Sequence, residues 1–409
     1  MSADAHVPVR APHPRPVRIR SRLSLRVLSA LRRAAPALTL YAAARLTGMA
    51  FLALWSRHAG KHPRNLIGFS WDSVWYSRVV AHGYGTVVHS DDPARLYSDL
   101  AFFPLYPAAV RIARSVFSLG FVNAGLLVSW TAAAAAAWGI YAVGERLHGR
   151  RAATLLVVLW GVLPHAVIQS MAYTESLLTA LAAWSLYAVL TGRWLWAGSL
   201  SVFAGLSRPN GVAVAAAVSL AAAWQIVQLW RHRTPDSLSL SARQDWRLWA
   251  GAVLAPLGWL GYVLWVGWQK GNPVFGYFRV QRKWGSEYDF GRDAWESVRS
   301  LVLGQAHLTY SMVVAVAALA VLLFVLLVLD RPPLALIVYS GVLLVIALGG
   351  AQYFTSKPRF LLPAFPLLLP VAVGMARARL RTVAVTIGAL AGLSCCYGTY
   401  LLAIATSAP

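Results

Sequence analysis

The stretch YSMVVAVAALAVLLFVLLVL, from Tyr310 to Leu329, contains twenty consecutive residues without a charged side chain. An α-helix rises about 1.5 Å per residue, so a run of this length crosses the roughly 30 Å of hydrocarbon in a bilayer. The rest of the chain has the same character, because 58% of its 409 residues are hydrophobic and only 12% are charged. The sequence therefore predicts an integral membrane protein.

Comparable apolar runs recur along the chain and predict an all-α polytopic membrane protein with about eleven transmembrane helices. The predicted spans are residues 35–55, 121–143, 152–169, 174–191, 194–207, 211–230, 249–268, 310–329, 333–350, 360–376 and 382–405. No soluble module longer than a loop interrupts them, so we expect residues 34–409 to form a single domain. Residues 1–33 are rich in arginine and proline and are predicted to be a disordered basic tail in the cytoplasm.

The formal net charge of +23 would suggest nucleic-acid binding in a soluble protein, but its distribution points to membrane topology. The short loops at 145–151, 231–247 and 377–381 are basic and lie between predicted spans, which is typical of cytoplasmic loops. This pattern places the N-terminus in the cytoplasm and the long loops, at about 56–120 and 269–309, on the outer face. We therefore expect contact with membrane lipids and none with nucleic acid. The abundance of arginine and alanine is typical of GC-rich bacterial genomes and favours the cell membrane as the location.

The first long loop carries two motifs, SWDSVWYSRVVAHGYG at Ser70–Gly85 and AFFPLYP at Ala101–Pro107. Ser70 is a suitable N-cap for a helix that ends at the glycine turn after His82. A second, amphipathic helix is predicted after the AFFPLYP motif. The loop is thus expected to contain two juxtamembrane helices joined by a polar turn around residues 91–93.

Asp72 is the residue best suited to acid–base chemistry, because it is an acid set among aromatic residues in this loop. Such surroundings are expected to raise the pKa of the carboxyl group, so that Asp72 accepts a proton from a hydroxyl as a general base. The alternative is that Asp72 only favours the dipole of the helix that it begins. Trp71, Trp75 and Tyr76 either stack against a sugar or belong to the aromatic belt of a membrane interface.

Basic side chains suited to binding a phosphate occur at three places. His82 ends the first loop helix, Arg208 lies in LSRPNG, and Lys357 and Arg359 lie in SKPRF. Guanidinium groups bind phosphate oxygens in a forked geometry and stabilise the charge that grows on a departing phosphate. The alternatives are a histidine on a helix dipole and basic side chains that snorkel to lipid headgroups.

Three further residues are candidates for contacts with the acceptor or the sugar. Glu175, in AYTESLL, is predicted at the outer end of the fourth span, where it either holds acceptor hydroxyls or shares a capping role with Thr174. Tyr84 and Asn210 lie in the turns HGYG and RPNG.

No metal ion or cofactor is expected. Asp91, Asp92 and Asp99 lack a recognisable ligand spacing, and a solvated turn is the preferred interpretation of the first two. The two cysteines, Cys395 and Cys396, are adjacent within the last predicted span, so they provide neither a disulfide framework nor a zinc site.

Taken in order, the motifs WDSVWYSRVVAHGYG, AFFPLYP, AYTESL, SRPNG and KPRF resemble those of the PIG-V family of membrane mannosyltransferases. The resemblance implies a GT-C glycosyltransferase, which takes its sugar from a polyprenyl-phosphate donor and carries an acid in its first outer loop. Asp72 corresponds to that acid. The family's other polar motif positions correspond to His82, Glu175, Arg208 and Arg359. The chain has a single acid after Trp71, where many members of the superfamily have a pair.

The resulting hypothesis is an inverting transfer of mannose from polyprenyl-phosphate mannose to a hydroxyl group on the outer face. The residues do not identify the acceptor, so a lipid, a glycan and a protein hydroxyl all remain open. The alternatives are a transferase of another hexose or a pentose, a transporter that flips a lipid-linked sugar, and a scaffold without turnover.

Overall fold

A computed structural model describes residues 19–89, 95–231, 238–304, 308–351 and 353–405. The helices of this part of the chain are α1 (Ile19–His58), α2 (Pro63–Gly68), α3 (Asp72–His82), α4 (Leu105–Phe117), α5 (Phe121–Gly161), α6 (Glu175–Leu190), α7 (Trp194–Gly205), α8 (Val212–Arg231), α9 (Leu238–Leu254), α10 (Leu257–Gln269), α11 (Gly276–Lys283), α12 (Arg292–Val302), α13 (Leu308–Leu329), α14 (Leu334–Gly349), α15 (Lys357–Leu361), α16 (Leu369–Arg377) and α17 (Leu380–Ala403). Two short strands, β1 (Val87–His89) and β2 (Leu96–Ser98), pair antiparallel. The protein is therefore an all-α polytopic membrane protein, as the sequence predicts.

The number of membrane spans differs from the predicted eleven. Within the described ranges, six helical segments are long and apolar enough to cross a bilayer, and α15 with α16 adds a seventh if this pair, bent by 76°, is one span. The predicted spans 121–143 and 152–169 largely coincide with the single element α5, which is interrupted at Gly149, where φ is 78°. Helices α6 and α14 are apolar but contain only 16 residues each. Eleven spans therefore stays a prediction.

The predicted disordered tail overlaps the first helix. Residues 1–18 lie outside the described residues, whereas residues 19–33 belong to α1, so the prediction of disorder is wrong for this second part. The physical reason is visible in the sequence, because the prolines of the segment all precede residue 17 and no proline or glycine occurs from 17 to 33.

Both predicted helices of the first long loop are present as α3 and α4. The predicted cap is wrong, because Trp71 precedes α3 with φ 49° and the chain turns sharply there. Ser70 consequently donates its N–H to Ser73 Oγ at 2.7 Å and does not cap the helix. The hairpin β1–β2 separates the two helices, and the predicted turn at 91–93 lies outside the described residues.

The core is built from closely packed alanine-rich helices. In the run Ala132–Ala137, Ala136 and Ala137 are fully buried in the main apolar cluster. At Gly139 a Cβ atom would lie 2.9 Å from the Cβ of Ala183 on α6, so only glycine allows the two helices to approach this closely.

A buried polar network fixes the segment that leads from α5 to α6. Gln169 accepts the hydroxyl of Tyr41 at 2.9 Å and donates to the carbonyl of Trp160 at 2.8 Å. Arg45, inside α1, donates to the carbonyl of Gly161 at 3.0 Å and to Ser170 Oγ at 3.3 Å. The network therefore ties the first helix to the residues directly before Glu175.

Candidate active site

Four charged side chains from four separate elements form one continuous chain of ion pairs. Arg359 Nη2 lies 2.9 Å from Asp72 Oδ2, and Arg359 Nε lies 3.2 Å from Glu175 Oε1. Arg208 forms an ion pair with the same oxygen of Glu175. The residues come from α3, from α6, from the turn after α7 and from α15, so the cluster joins the first loop to late segments of the chain.

Glu175 is the buried centre of this cluster. It is the first residue of α6, where the helix dipole favours a negative charge, and its side chain is only 2% exposed. Thr174 occupies the N-cap position without a capping hydrogen bond, and its hydroxyl instead pairs with that of Tyr76 at 3.3 Å. Since a buried carboxylate needs charged partners, the two arginines account for Glu175 better than a capping role does.

Of the two carboxylates in the cluster, Asp72 is the accessible one. It occupies the first turn of α3, its side chain is 25% exposed, and it lines a cavity of about 390 Å³. Its backbone N–H lies 3.4 Å from the hydroxyl of Tyr173, whose ring faces the Arg359 guanidinium at 5.2 Å. Burial raises the pKa of both Tyr76 and Tyr173 above the ordinary tyrosine value, so both phenols are neutral beside the acids.

The arginines of the cluster keep unused hydrogen-bond donors. Arg359 Nη1, Arg208 Nε and Asn210 Nδ2 are buried and have no hydrogen-bond partner within the described residues. All three residues line the same cavity. Both guanidinium groups contact the ring of Phe360, whose centroid is 5.2 Å from that of Arg359 and 5.5 Å from that of Arg208. An anion with several oxygens would satisfy such a set of donors.

Lys357 also lines the cavity, but its ammonium group serves the backbone. Its Nζ donates to the carbonyls of Gly350 at 2.9 Å and Leu348 at 3.3 Å, at the C-terminal end of α14. A lysine at this position favours the helix dipole and satisfies carbonyls that have no partner within the helix. At most one of its three N–H groups remains for a ligand.

Many of the residues that line the cavity are aromatic. Most of them come from the second long loop and its surroundings, which the sequence analysis did not single out. They include Phe102, Trp259, Tyr277, Trp284, Tyr288 and Tyr353, and Tyr76 of the first loop also lines the cavity. In the sequence, the only sign of this aromatic lining was the abundance of aromatic residues between positions 259 and 290.

Three of the four aromatic residues predicted for the site, Trp71, Trp75 and Tyr84, do not line the cavity. Trp71 packs against an apolar cluster between the first and last helices, and Trp75 stacks on Phe102 with ring centroids 5.8 Å apart. Tyr84 donates its hydroxyl to the carbonyl of Phe102 at 2.8 Å, and burial raises its pKa to about 12. These side chains support the loop, and the structure gives them no contact with the cavity.

His82 is exposed at the end of α3 and does not line the cavity. Asp99 is fully buried and accepts the backbone N–H groups of Gly85 at 3.0 Å and Thr86 at 2.8 Å, which holds the base of the hairpin. Asp91 and Asp92 lie outside the described residues. Elsewhere, in the ranges that the structure covers, no three histidine, cysteine or acidic side chains gather as metal ligands would.

No protein-family model and no curated protein matches the chain. Among solved structures, it is similar to ArnT from Cupriavidus metallidurans bound to undecaprenyl phosphate, with a TM-score of 0.52 and 15% identity over 88% of this chain and 63% of ArnT. It also matches the oligosaccharyltransferase AglB from Archaeoglobus fulgidus in complex with an inhibitory peptide and a dolichol-phosphate. That match has a TM-score of 0.43 and 15% identity over 89% of this chain and 55% of AglB.

The fold is of the GT-C type. This chain nevertheless spans less than two thirds of the length of either protein, and at 15% identity the similarity concerns the fold. The finer resemblance to PIG-V mannosyltransferases stays a prediction.

Proposed function

We propose that this protein is a membrane glycosyltransferase that moves a sugar from a polyprenyl-phosphate donor to a hydroxyl group of an acceptor. One observation carries the proposal: an accessible carboxylate, Asp72, pairs with Arg359 and lines the same cavity as Arg208, and both arginines keep buried donors that have no partner within the described residues. Base and phosphate-binding groups are the two elements that such a transfer needs. The choice of donor is supported by the structures of ArnT and AglB, which hold undecaprenyl phosphate and a dolichol-phosphate.

Arg359 and Arg208 hold the phosphate of the donor. Their charges are offset by Asp72 and Glu175, so the cluster itself is close to neutral until a phosphate displaces part of this pairing. Asn210 adds an uncharged donor from the turn that follows Arg208. Because arginines at this site supply the positive charge for a departing phosphate, the proposed reaction needs no divalent metal.

The transfer is a single displacement. The acceptor hydroxyl gives its proton to Asp72 as its oxygen attacks the anomeric carbon, and the bond between that carbon and the phosphate oxygen breaks. The electron pair of that bond stays on the polyprenyl phosphate, whose added charge lies near the two arginines. Attack from the face opposite the phosphate inverts the anomeric centre. Glu175 orients the two guanidinium groups in this scheme, because it is buried and does not line the cavity.

The aromatic side chains of the cavity provide stacking faces for a sugar ring, among them Tyr76 of the first loop and Trp284, which packs against Trp75 of that loop with ring centroids 5.0 Å apart. Mannose is proposed because of the motif resemblance to PIG-V proteins. The site is proposed to open on the outer face of the cell membrane, since the basic loops at 145–151 and 377–381 mark the opposite side.

The test is sugar transfer by the purified protein in proteoliposomes, with radiolabelled polyprenyl-phosphate mannose and a total lipid extract. Asp72→Asn is expected to lose a factor of about 10² to 10⁴ in turnover while it still binds the donor. Asp330→Asn, an exposed acid at the end of α13, is the matched control and should keep full activity. Transfer by Asp72→Asn above about a tenth of the wild-type rate would remove Asp72 from the role of base.

The same experiment separates transfer from transport. Movement of intact labelled donor across the bilayer, without any labelled product and with equal rates in wild type and Asp72→Asn, would favour a transporter. A second donor, such as the polyprenyl-phosphate ester of another hexose or a pentose, tests the sugar, and a chelator tests the independence from metal.

A further inference from the structure

An exposed apolar surface lies on the second long loop, away from the charge cluster. Phe290 is 89% exposed and Trp295 69% exposed, and Leu303 is exposed at the end of the same segment. Arg292, Trp295 and Arg299 of α12 and Leu303, the residue directly after it, follow at intervals of three and four, so they share one side of the helix. We call Phe290 together with this stripe the α12 surface.

The turn before α12 holds Phe290 outward at a cost. Phe290 has φ 57°, in the left-handed region that phenylalanine seldom adopts. Asp289 fixes the turn by accepting the backbone N–H groups of Gly291 at 2.9 Å and Asp293 at 2.8 Å. Strained backbone that presents an apolar ring to solvent is retained where the ring has a partner in the working protein.

The neighbouring helix identifies this partner as the bilayer. Helix α13 begins at Leu308, five residues after Leu303, and is the most apolar of the six candidate spans in the described ranges. Helix α12 packs against this helix, so the α12 surface lies next to a candidate membrane span. Arg292 pairs with Glu296 at 3.1 Å, which leaves Arg299 for a headgroup. Aromatic side chains beside a basic one are typical of helices that lie in the interface and contact anionic headgroups.

We propose that the α12 surface docks into the headgroup region of the bilayer, with the Phe290 ring reaching the acyl chains. The same turn forms part of the cavity wall, because the Glu287 carbonyl accepts the N–H of Ala351 at 2.7 Å and Tyr288 forms a bridge with Gly350. Contact with lipid thus fixes the position of one wall of the cavity. This proposal does not depend on the chemistry assigned to Asp72.

The test measures the depth of single labelled positions in lipid nanodiscs. Cys395→Ala and Cys396→Ala remove the native thiols, and a fluorescent label is attached to Phe290→Cys or to the control Arg282→Cys. Arg282 is exposed and pairs with Glu287 at 3.1 Å, which gives it polar surroundings. Brominated lipids are expected to quench the label at 290 at least about twofold more than the label at 282, and aqueous iodide should show the reverse. Equal quenching at both positions would overturn the proposal.

A second variant guards against a disturbed turn. Phe290→Asn replaces the ring by a polar side chain, and asparagine tolerates the left-handed backbone at this position. In this background, a label at Trp295→Cys is expected to lose about half of its quenching by brominated lipids, because the helix is no longer anchored at its start. Unchanged quenching at 295 would show that Phe290 does not anchor the surface.

Discussion

Replacing Glu175 by glutamine should separate the positioning of the arginines from the binding of the donor. The substitution keeps the size of the side chain and removes its charge from between two guanidinium groups. With Arg359 Nε 3.2 Å from the carboxylate and an effective dielectric constant of about 20, the lost attraction is about 5 kcal/mol for this pair. Relaxation and water offset part of this energy, and removing one partner of a buried pair costs about 3–5 kcal/mol in practice.

The effect on turnover should exceed the effect on donor binding. Without Glu175, Arg359 is held only by Asp72, and Arg208 has no acidic partner within the described residues. Both guanidinium groups remain available to the phosphate, so the donor KM should change by less than about threefold, whereas a displacement of about 1 Å lowers kcat by about 10²-fold. Steady-state transfer kinetics in proteoliposomes give both constants, and thermal unfolding in detergent checks the fold.

Glu175→Asp is the matched control, because it keeps the charge and shortens the side chain by one methylene group. It should unfold close to the wild-type temperature and show an intermediate kcat. The reasoning is refuted if Glu175→Gln keeps both kcat and its unfolding temperature. A rise in donor KM with unchanged kcat would also refute it, since that result would place Glu175 in contact with substrate.

Three further substitutions test other parts of the site. Arg359→Lys keeps the charge but loses the forked geometry, so the donor KM should rise by about tenfold or more, as measured by donor titration of the transfer rate. Lys357→Met removes the hydrogen bonds to the end of α14, so thermal unfolding should show a loss of about 1.5–3 kcal/mol of stability. The donor KM should stay within about threefold of the wild-type value. A larger change in KM would assign Lys357 to the phosphate. Asp99→Asn should lower the free energy of unfolding by about 1–3 kcal/mol, because it weakens the hydrogen bonds from Gly85 and Thr86. Sugar transfer by the folded variant should continue. Abolished transfer in a folded variant would place Asp99 in the reaction.

Sequence reasoning was most successful where the decisive physics is local. Hydropathy over about 20 residues is a property of each segment, so the polytopic helical fold follows from the chain itself. The helix from Asp72 to His82 is likewise set by its own residues and by the glycine turn that follows. The motifs that contain Asp72, Glu175, Arg208 and Arg359 also stand out, because charged groups are rare in so apolar a chain.

What those charges contact was decided by the packing of helices that are distant in sequence. Nothing local to Glu175 distinguishes it from Asp72, yet only Asp72 lines the cavity and Glu175 is buried between two arginines. Lys357 is only two residues from Arg359, yet it contacts the end of α14, because α15 begins at Lys357 and this end of α15 lies next to the end of α14. The exposure and pairing of a side chain depend on which elements surround it in space. The sequence by itself therefore determined a polytopic helical membrane protein with a few polar motifs, and the tertiary structure decided which of those residues form one site.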